Sequence, residues 1–223
     1  MEQYFVKIKS IEHITPDVMQ IVTEKPPKYN FTPGQATEIA INKTGWKDEK
    51  RPFTFTSLPV DDYLEFTIKT YPSHKGVTNE LLKLNLDEEL ILHDVFGAIA
   101  YNGEGLFIAG GAGVTPFISI FRYLQFKNEI RGNKLIFANK SKEDIILKTE
   151  FEKLLGENFI NILSDEVSDR YAHGLIDEDF LKTNIAGFEQ QFYLCGPPSM
   201  MDAVKKQLTN LGISEKAITT EKI

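Results

Sequence analysis

GLFIAGGAGVTPFISIFRYL, Gly105 to Leu124, decides how this chain is read. An unbroken apolar run meets three glycines in four positions, Gly110, Gly111 and Gly113. Thr115 and Pro116 then open an apolar-periodic segment. Continuous apolarity predicts a strand buried on both faces. Thr115 suits an N-cap, and Pro116 suits the first helical position, where no amide donor is needed. A turn without Cβ atoms lets another molecule approach its backbone, and its outward amides suit a pyrophosphate. The pattern is GxGxTP rather than the full GxGxxG, so a tight turn packed for its own sake also explains the glycines.

Downstream of this stretch the same rhythm repeats. KLIFANKS reads as a strand before a helix over EDIILKTEFEKLLG, and NFINILSD as a strand before an irregular stretch and a helix near LIDEDFLKTN. QFYLCG precedes the helix PSMMDAVKKQLTNLG, and KAITTEKI closes the chain as a strand. Strand–helix alternation with continuous apolar strands predicts a parallel sheet covered on both faces, binding its ligand beyond the C-terminal strand ends.

Upstream the rhythm differs. YFVKIKSIEHI, VMQIVTE, ATEIAI, RPFTFTSL and YLEFTIKTY are short, rich in β-branched and aromatic residues, and bounded by turn formers. GVTNELLKLN is the convincing helix of this half, and DEELILHDVFG gives a closing strand and a turn. Short strands joined by turns predict an antiparallel sandwich or barrel. The boundary falls near Ala100 to Glu104, giving two domains, 1–100 and 101–223.

Composition narrows the function. The 223 residues carry a formal net charge of -7, which disfavours nucleic acid and anionic membranes as partners. No apolar run reaches the length of a membrane span, and MEQYFVKIKS lacks the apolar stretch of a secretory signal. One cysteine excludes an internal disulfide framework and an iron–sulfur cluster held by this chain's cysteines alone. The four histidines are too scattered for a recognisable metal site. A cytoplasmic protein is the simplest expectation.

Three further motifs carry chemistry. RPFTFTS, Arg51 to Ser57, opens with a guanidinium able to hold a phosphate bidentately. In KGVTNELL, Lys75 to Leu82, Thr78 suits a helix cap whose amides would face an anion. In YLCGPPSM, Tyr193 to Met200, a cysteine ends a strand before Gly196 and two prolines. Taken singly, these motifs also describe an exposed arginine, an ordinary cap and a small buried thiol.

Together and in this order, the four motifs resemble those of the ferredoxin reductase-like flavoprotein oxidoreductases, over nearly the whole chain. The resemblance implies an N-terminal antiparallel β-barrel that binds flavin and a C-terminal Rossmann-like α/β domain that binds a nicotinamide dinucleotide. It places Arg51 on the flavin phosphate, Phe53 against the isoalloxazine and the Thr54 hydroxyl near its N5. Phe53 departs from the family's commoner Tyr and lacks its hydroxyl. By the same resemblance Gly76, Val77 and Thr78 meet the flavin pyrophosphate, with Lys75 a nearby cation and Lys69 beside the nucleotide part. Phe96 and Gly97 match the aromatic-Gly turn that ends the family's flavin domain. Family tendency favours FAD over FMN.

For the second cofactor, the resemblance puts Gly111, Gly113, Thr115 and Pro116 around the NAD(P) pyrophosphate, with Thr115 near the nicotinamide. It puts Cys195, Gly196 and Pro197 at the ring, the thiol positioning the hydride donor. NADPH-preferring relatives usually carry Arg after the serine matching Ser164. Asp165 stands there instead, repelling a phosphate and favouring NADH, although Lys140, at the end of the previous strand, could still meet a phosphate. The implied activity is hydride transfer from NADH or NADPH to bound flavin. Electrons then pass to a separate redox protein such as flavodoxin, ferredoxin or an oxygenase component. The alternatives are an electron-transfer subunit of a larger redox complex, which often carries a cysteine-rich segment absent here, and a non-enzymatic flavin or nucleotide sensor.

Overall fold

The computed structural model describes residues 2–71, 73, 76–97, 99–185, 187 and 189–221. Two units are distinguished along the chain. One comprises Met1–Ala100 with Thr115–Tyr123, the other Tyr101–Val114 with Leu124–Ile223.

In the first unit, alternation of apolar and polar residues makes strands with one buried face. These are β1 (Tyr4–Thr15), β2 (Val18–Glu24), β3 (Gln35–Ile41), β4 (Arg51–Thr54), β5 (Tyr63–Lys69) and β6 (Glu89–Gly97). They form an antiparallel sheet in the order β4-β3-β6-β1-β2-β5. A bridge between Phe55 and Phe66 joins its two edges, so the sheet closes as a barrel. Phe55 is fully buried, stacked on Phe31 at 4.1 Å and tilted against Phe66 at 5.4 Å. Val6, Ile8, Ile21, Leu64, Leu90 and Leu92 fill the same core. The helix α1 (Val77–Leu81) buries Val77 and Leu81 against it.

The second unit holds β7 (Gly105–Gly110), β8 (Lys134–Asn139), β9 (Phe159–Leu163), β10 (Ala172–His173), β11 (Gln191–Cys195) and β12 (Ile218–Thr220). All pairs are parallel, in the order β10-β9-β8-β7-β11-β12. The helices after the first unit's α1 are α2 (Thr115–Phe126), α3 (Lys148–Leu155), α4 (Glu178–Asn184) and α5 (Pro198–Asn210). Leu106, Ile108, Ile136, Ile162, Phe192 and Leu194 share one apolar cluster with Leu181 of α4 and Val204 and Leu208 of α5. Side chains of the opposite parity build a second layer. Phe107 stacks on Tyr193 at 4.2 Å, and Phe159 meets Phe151 of α3 at 5.4 Å. The Tyr193 hydroxyl accepts from the Asn102 amide and donates to the Gly103 carbonyl, both at 2.8 Å. That clasp holds the segment entering β7.

Four local expectations give way to the structure. RPFTFTSL is strand only to Thr54, because the Leu58 amide donates to Asp61 Oδ2 at 2.7 Å and turns the chain. The helix expected over EDIILKTEFEKLLG is split. Ser141 and Asp144 cap a separate 3-10 turn, and Leu147 then takes a left-handed conformation at φ 50°, so α3 starts at Lys148. Thr115 does not cap α2: a 3-10 turn over Gly111–Val114 runs straight into the helix, making Thr115 its first residue. Nor do Phe96 and Gly97 form a turn, since both pair with β3 at the end of β6.

Barrel closure gives a direct test. Phe55→Ala should cost about 3–5 kcal/mol, the range for emptying a fully buried aromatic site. Urea unfolding measures it. A loss under about 1 kcal/mol would mean that Phe55 does not hold the barrel closed.

Candidate functional site

The parallel sheet has its switch point at β7. From there the chain runs outward through β8, β9 and β10 on one side, and returns through β11 and β12 on the other. Open α/β sheets bind ligands at such a reversal, beyond the C-terminal strand ends. The turn after β7 and the turn after β11 meet there. A Cβ on Gly113 would collide with the Cys195 carbonyl oxygen and lie 2.6 Å from Gly196 Cα. One on Gly110 would strike Met200 Sδ and lie 3.0 Å from Pro197 Cδ, and one on Gly196 would lie 3.1 Å from the Gly110 nitrogen. Gly110, Gly113 and Gly196 therefore let two stretches of this chain's backbone touch. Gly111 is different. Its φ is 50° and nothing lies within 4 Å of where its Cβ would stand. It is the position of the loop left open to a ligand.

Cys195 ends β11 at this junction and is buried. Its thiol donates to Glu221 Oε2 at 3.4 Å. Burial first, then the Glu221 carboxylate, push the thiol far above the usual thiol range. A group held neutral in this way is a contact surface rather than a nucleophile. Pro197 follows as the N-cap of α5, with Pro198 at its first position, so the turn after Gly196 is stiff.

In the first unit, Thr54 ends β4 and is largely buried. Its Oγ1 donates to Thr115 Oγ1 at 2.7 Å. The hydroxyls of RPFTFTS and of GAGVTP thus come together, and Pro116 follows Thr115 in the first turn of α2. Phe53, half-buried, lies against the barrel core. Arg51 is exposed, bonded to the Lys50 carbonyl at 2.6 Å and 3.7 Å from an exposed Glu49 carboxylate. Such a pair is weak, so the guanidinium is available to a phosphate. Lys69 is paired with Asp17 at 2.7 Å. Thr78 is not the helix cap expected of it. Gly76, extended at φ -118°, is the N-cap, and nothing lies within 4 Å of its missing Cβ. Val77 is buried. Lys75 lies outside the described residues.

Asp165 follows β9, where Ser164 Oγ donates to its carboxylate at 2.6 Å and its own amide donates to the Lys140 carbonyl at 2.9 Å. Both Asp165 and Lys140 are exposed. The neighbouring Lys142 amide donates to Glu166 at 2.8 Å, which holds that carboxyl below its ordinary range. Among the described residues no three His, Cys, Asp or Glu side chains gather to hold a metal. No helix among them is long and apolar enough to cross a membrane.

Sequence reading missed Ser119, Arg122 and Glu65. The first two had a signal in α2, where Thr115, Ser119 and Arg122 are polar positions at i, i+4 and i+7 of a mostly apolar helix; Glu65 had none.

Comparison with known proteins agrees with this layout. Residues 3–136 match the family model for the FAD-binding domain, and residues 107–206 match that for the oxidoreductase NAD-binding domain. The chain belongs to the ferredoxin reductase-like FAD- and NAD-binding oxidoreductases. A curated relative in this family is the reductase component of propane 2-monooxygenase from Rhodococcus jostii, 26% identical over 236 residues. That match covers 97% of this chain and 62% of the relative. NADH-cytochrome b5 reductase 1 from Kluyveromyces lactis is 30% identical over 201 residues, covering 82% and 70%. The FAD/NAD-binding domain of a Vibrio cholerae nitric oxide dioxygenase shares the fold, with TM-score 0.85, 22% identity and 96% of each chain covered. The chain spans 55–62% of the oxygenase reductase and electron-transfer components it matches.

The buried thiol has a measurable consequence. Folded and unfolded chains both keep its proton below about pH 8.5, the ordinary thiol value. Above that only the unfolded chain releases it, so unfolding free energy falls as pH rises. Urea unfolding at pH 7.5 and 9.5 should show a loss in the unaltered protein that Cys195→Ser lacks, and iodoacetamide should label the thiol only after unfolding. Rapid labelling of the folded protein would contradict this placement.

Proposed function

We propose that residues 1–100 bind FAD, that residues 101–223 bind NADH, and that the chain takes a hydride from NADH and passes electrons to a separate redox protein. The observation carrying this reading is the 2.7 Å hydrogen bond between Thr54 and Thr115, which joins the motif assigned to the flavin with the motif assigned to the nicotinamide. Bound FAD would supply the conversion from two-electron to one-electron transfer.

The residues present fit both cofactors. Gly111 leaves an open cradle with positive φ, suited to a pyrophosphate, with Gly113 behind it and Thr115 and Pro116 leading into the helix. Arg51 presents a weakly paired guanidinium for the flavin phosphate, and Gly76, Val77 and Thr78 stand at the start of a helix, with nothing within 4 Å of where a Cβ on Gly76 would lie. Lys69 would have to share its ammonium between Asp17 and a ligand. Phe53 offers a flat face, Thr54 a hydroxyl, and Cys195 with Gly196 and Pro197 a stiff apolar wall. These groups orient and exclude water, and hydride transfer asks for little beyond geometry. The acceptor reading draws on relatives that are reductase or electron-transfer components of oxygenases. The same names favour, as a second reading, a subunit of a larger redox complex. NADH is favoured because the Asp165 carboxylate would repel a 2'-phosphate, and relatives include NADH-cytochrome b5 reductases. A cytoplasmic setting accords with a single, reduced cysteine.

Anaerobic mixing with NADH or NADPH tests the reading. The FAD-loaded protein should bleach with NADH, and more slowly with NADPH at equal concentration. Arg51→Ala should bind FAD more weakly by about 1.5–3 kcal/mol, the value of a charge-assisted phosphate contact. No bleaching by either donor would remove the reductase reading, and an unchanged FAD dissociation constant would remove Arg51 from the site.

A further inference from the structure

Resting on that reading, we propose that Arg122 is a positioning residue, which with Ser119 fixes α2 so that the Thr115 hydroxyl meets Thr54. Residues Thr115–Tyr123 belong to the same unit as the barrel. Their apolar members, Phe117, Ile118, Ile120 and Phe121, are fully buried. Apolar contacts are non-directional and tolerate sliding and rotation of a helix. Polar contacts do not. Three of them line one stripe of α2, each to a different part of the barrel unit. Thr115 Oγ1 accepts from Thr54 at 2.7 Å, Ser119 Oγ accepts from the Gly34 amide at 3.0 Å, and Arg122 Nη1 donates to the Thr56 carbonyl at 2.7 Å and to Glu65 Oε1 at 2.6 Å.

The Arg122 contact reaches the reactive end of RPFTFTS. Glu65 Oε1 also accepts from Thr56 Oγ1 at 2.7 Å, and the Glu65 amide donates to Ser57 Oγ at 3.1 Å. Thr67 Oγ1 donates to Thr56 Oγ1 at 3.3 Å. Thr54 meets α2 through its hydroxyl and Thr56 through its backbone carbonyl, while the Phe55 side chain between them enters the barrel core. The side chains of Arg122 and Glu65 are 19% and 9% exposed, so the ion pair is largely desolvated. A pair of this kind adds little net stability over apolar residues of similar size, but its geometry is strict. A planar guanidinium whose Nη1 donates to a carbonyl and a carboxylate at once directs those two N–H bonds in fixed directions, which sets helix register and rotation better than a freely rotating lysine ammonium does.

The test uses Arg122→Met, the neutralised pair Arg122→Met/Glu65→Gln, and Arg122→Lys as a milder variant that keeps the charge. Hydrogen exchange of the protein without added cofactors reads the clamp independently of any activity. Arg122→Met should raise exchange in segments 51–58 and 111–118 while β8 and β9 stay protected. With FAD bound, flavin reduction at saturating NADH should slow roughly tenfold to a hundredfold, the size of a small misplacement of reacting groups. FAD stoichiometry and the apparent affinity for NADH should stay unchanged. The double variant should regain the urea midpoint but not the rate, and Arg122→Lys should lie between. Unchanged exchange in both segments, or a rate that recovers with stability in the double variant, would overturn the proposal. If Arg122→Met does not fold, Arg122→Lys carries the same comparison, and an unaltered rate there would overturn it as well. Failure of the unaltered holoprotein to react with NADH would instead sink the reductase reading, leaving the exchange result to decide the clamp.

Discussion

Two backbone turns touch at the switch point of the parallel sheet. The turn after β7 and the turn after β11 approach so closely that a single Cβ at Gly113 would overlap the Cys195 carbonyl. Everything near the switch point follows from that approach. It places Cys195 beside the glycine loop, requires glycine at Gly113, where the obstacle is backbone, and leaves Gly111 open. Sheet topology supplies the constraint, because β7 and β11 are parallel neighbours whose C-terminal turns lie side by side while their connections diverge, the kind of place where open α/β sheets leave a crevice.

The same economy runs through the barrel unit. RPFTFTS serves three ends in seven residues. Arg51 stays exposed at the strand's start, Phe55 closes the barrel, and Thr54 and Thr56 face α2. A change that slips this strand by one residue would exchange the core position for the polar ones, so fold and site share one register.

Much of this was legible in the sequence, for identifiable reasons. β7, β8 and β11 announce themselves as unbroken apolar runs, and β1, β2 and β5 by alternation and by their turns. Two of the motifs fall on the turns after β7 and β11, because glycine and proline mark such turns in the sequence. What was not legible depends on distant partners. Arg122 meets Glu65, 57 residues away, and Cys195 meets Glu221, 26 residues away. No local pattern names either partner. Helix starts failed for a different reason. The Ser141–Asp144 box is a sound cap, but Leu147 interrupts the helix behind it, and the glycine loop before Thr115 winds into a 3-10 turn that leaves nothing for a threonine to cap. Which glycine is open and which faces the chain itself also needed the fold, since all of them look alike in sequence.

The most direct measurement is flavin reduction by saturating NADH in FAD-loaded Gly113→Ala. The barrel unit does not include Gly113, so FAD should bind as in the unaltered protein. The added methyl group must push the two turns apart and displace the donor, so reduction should slow by about a hundredfold. Reduction at the unaltered rate, with FAD fully bound, would show that the contact between the turns does not form the nicotinamide site.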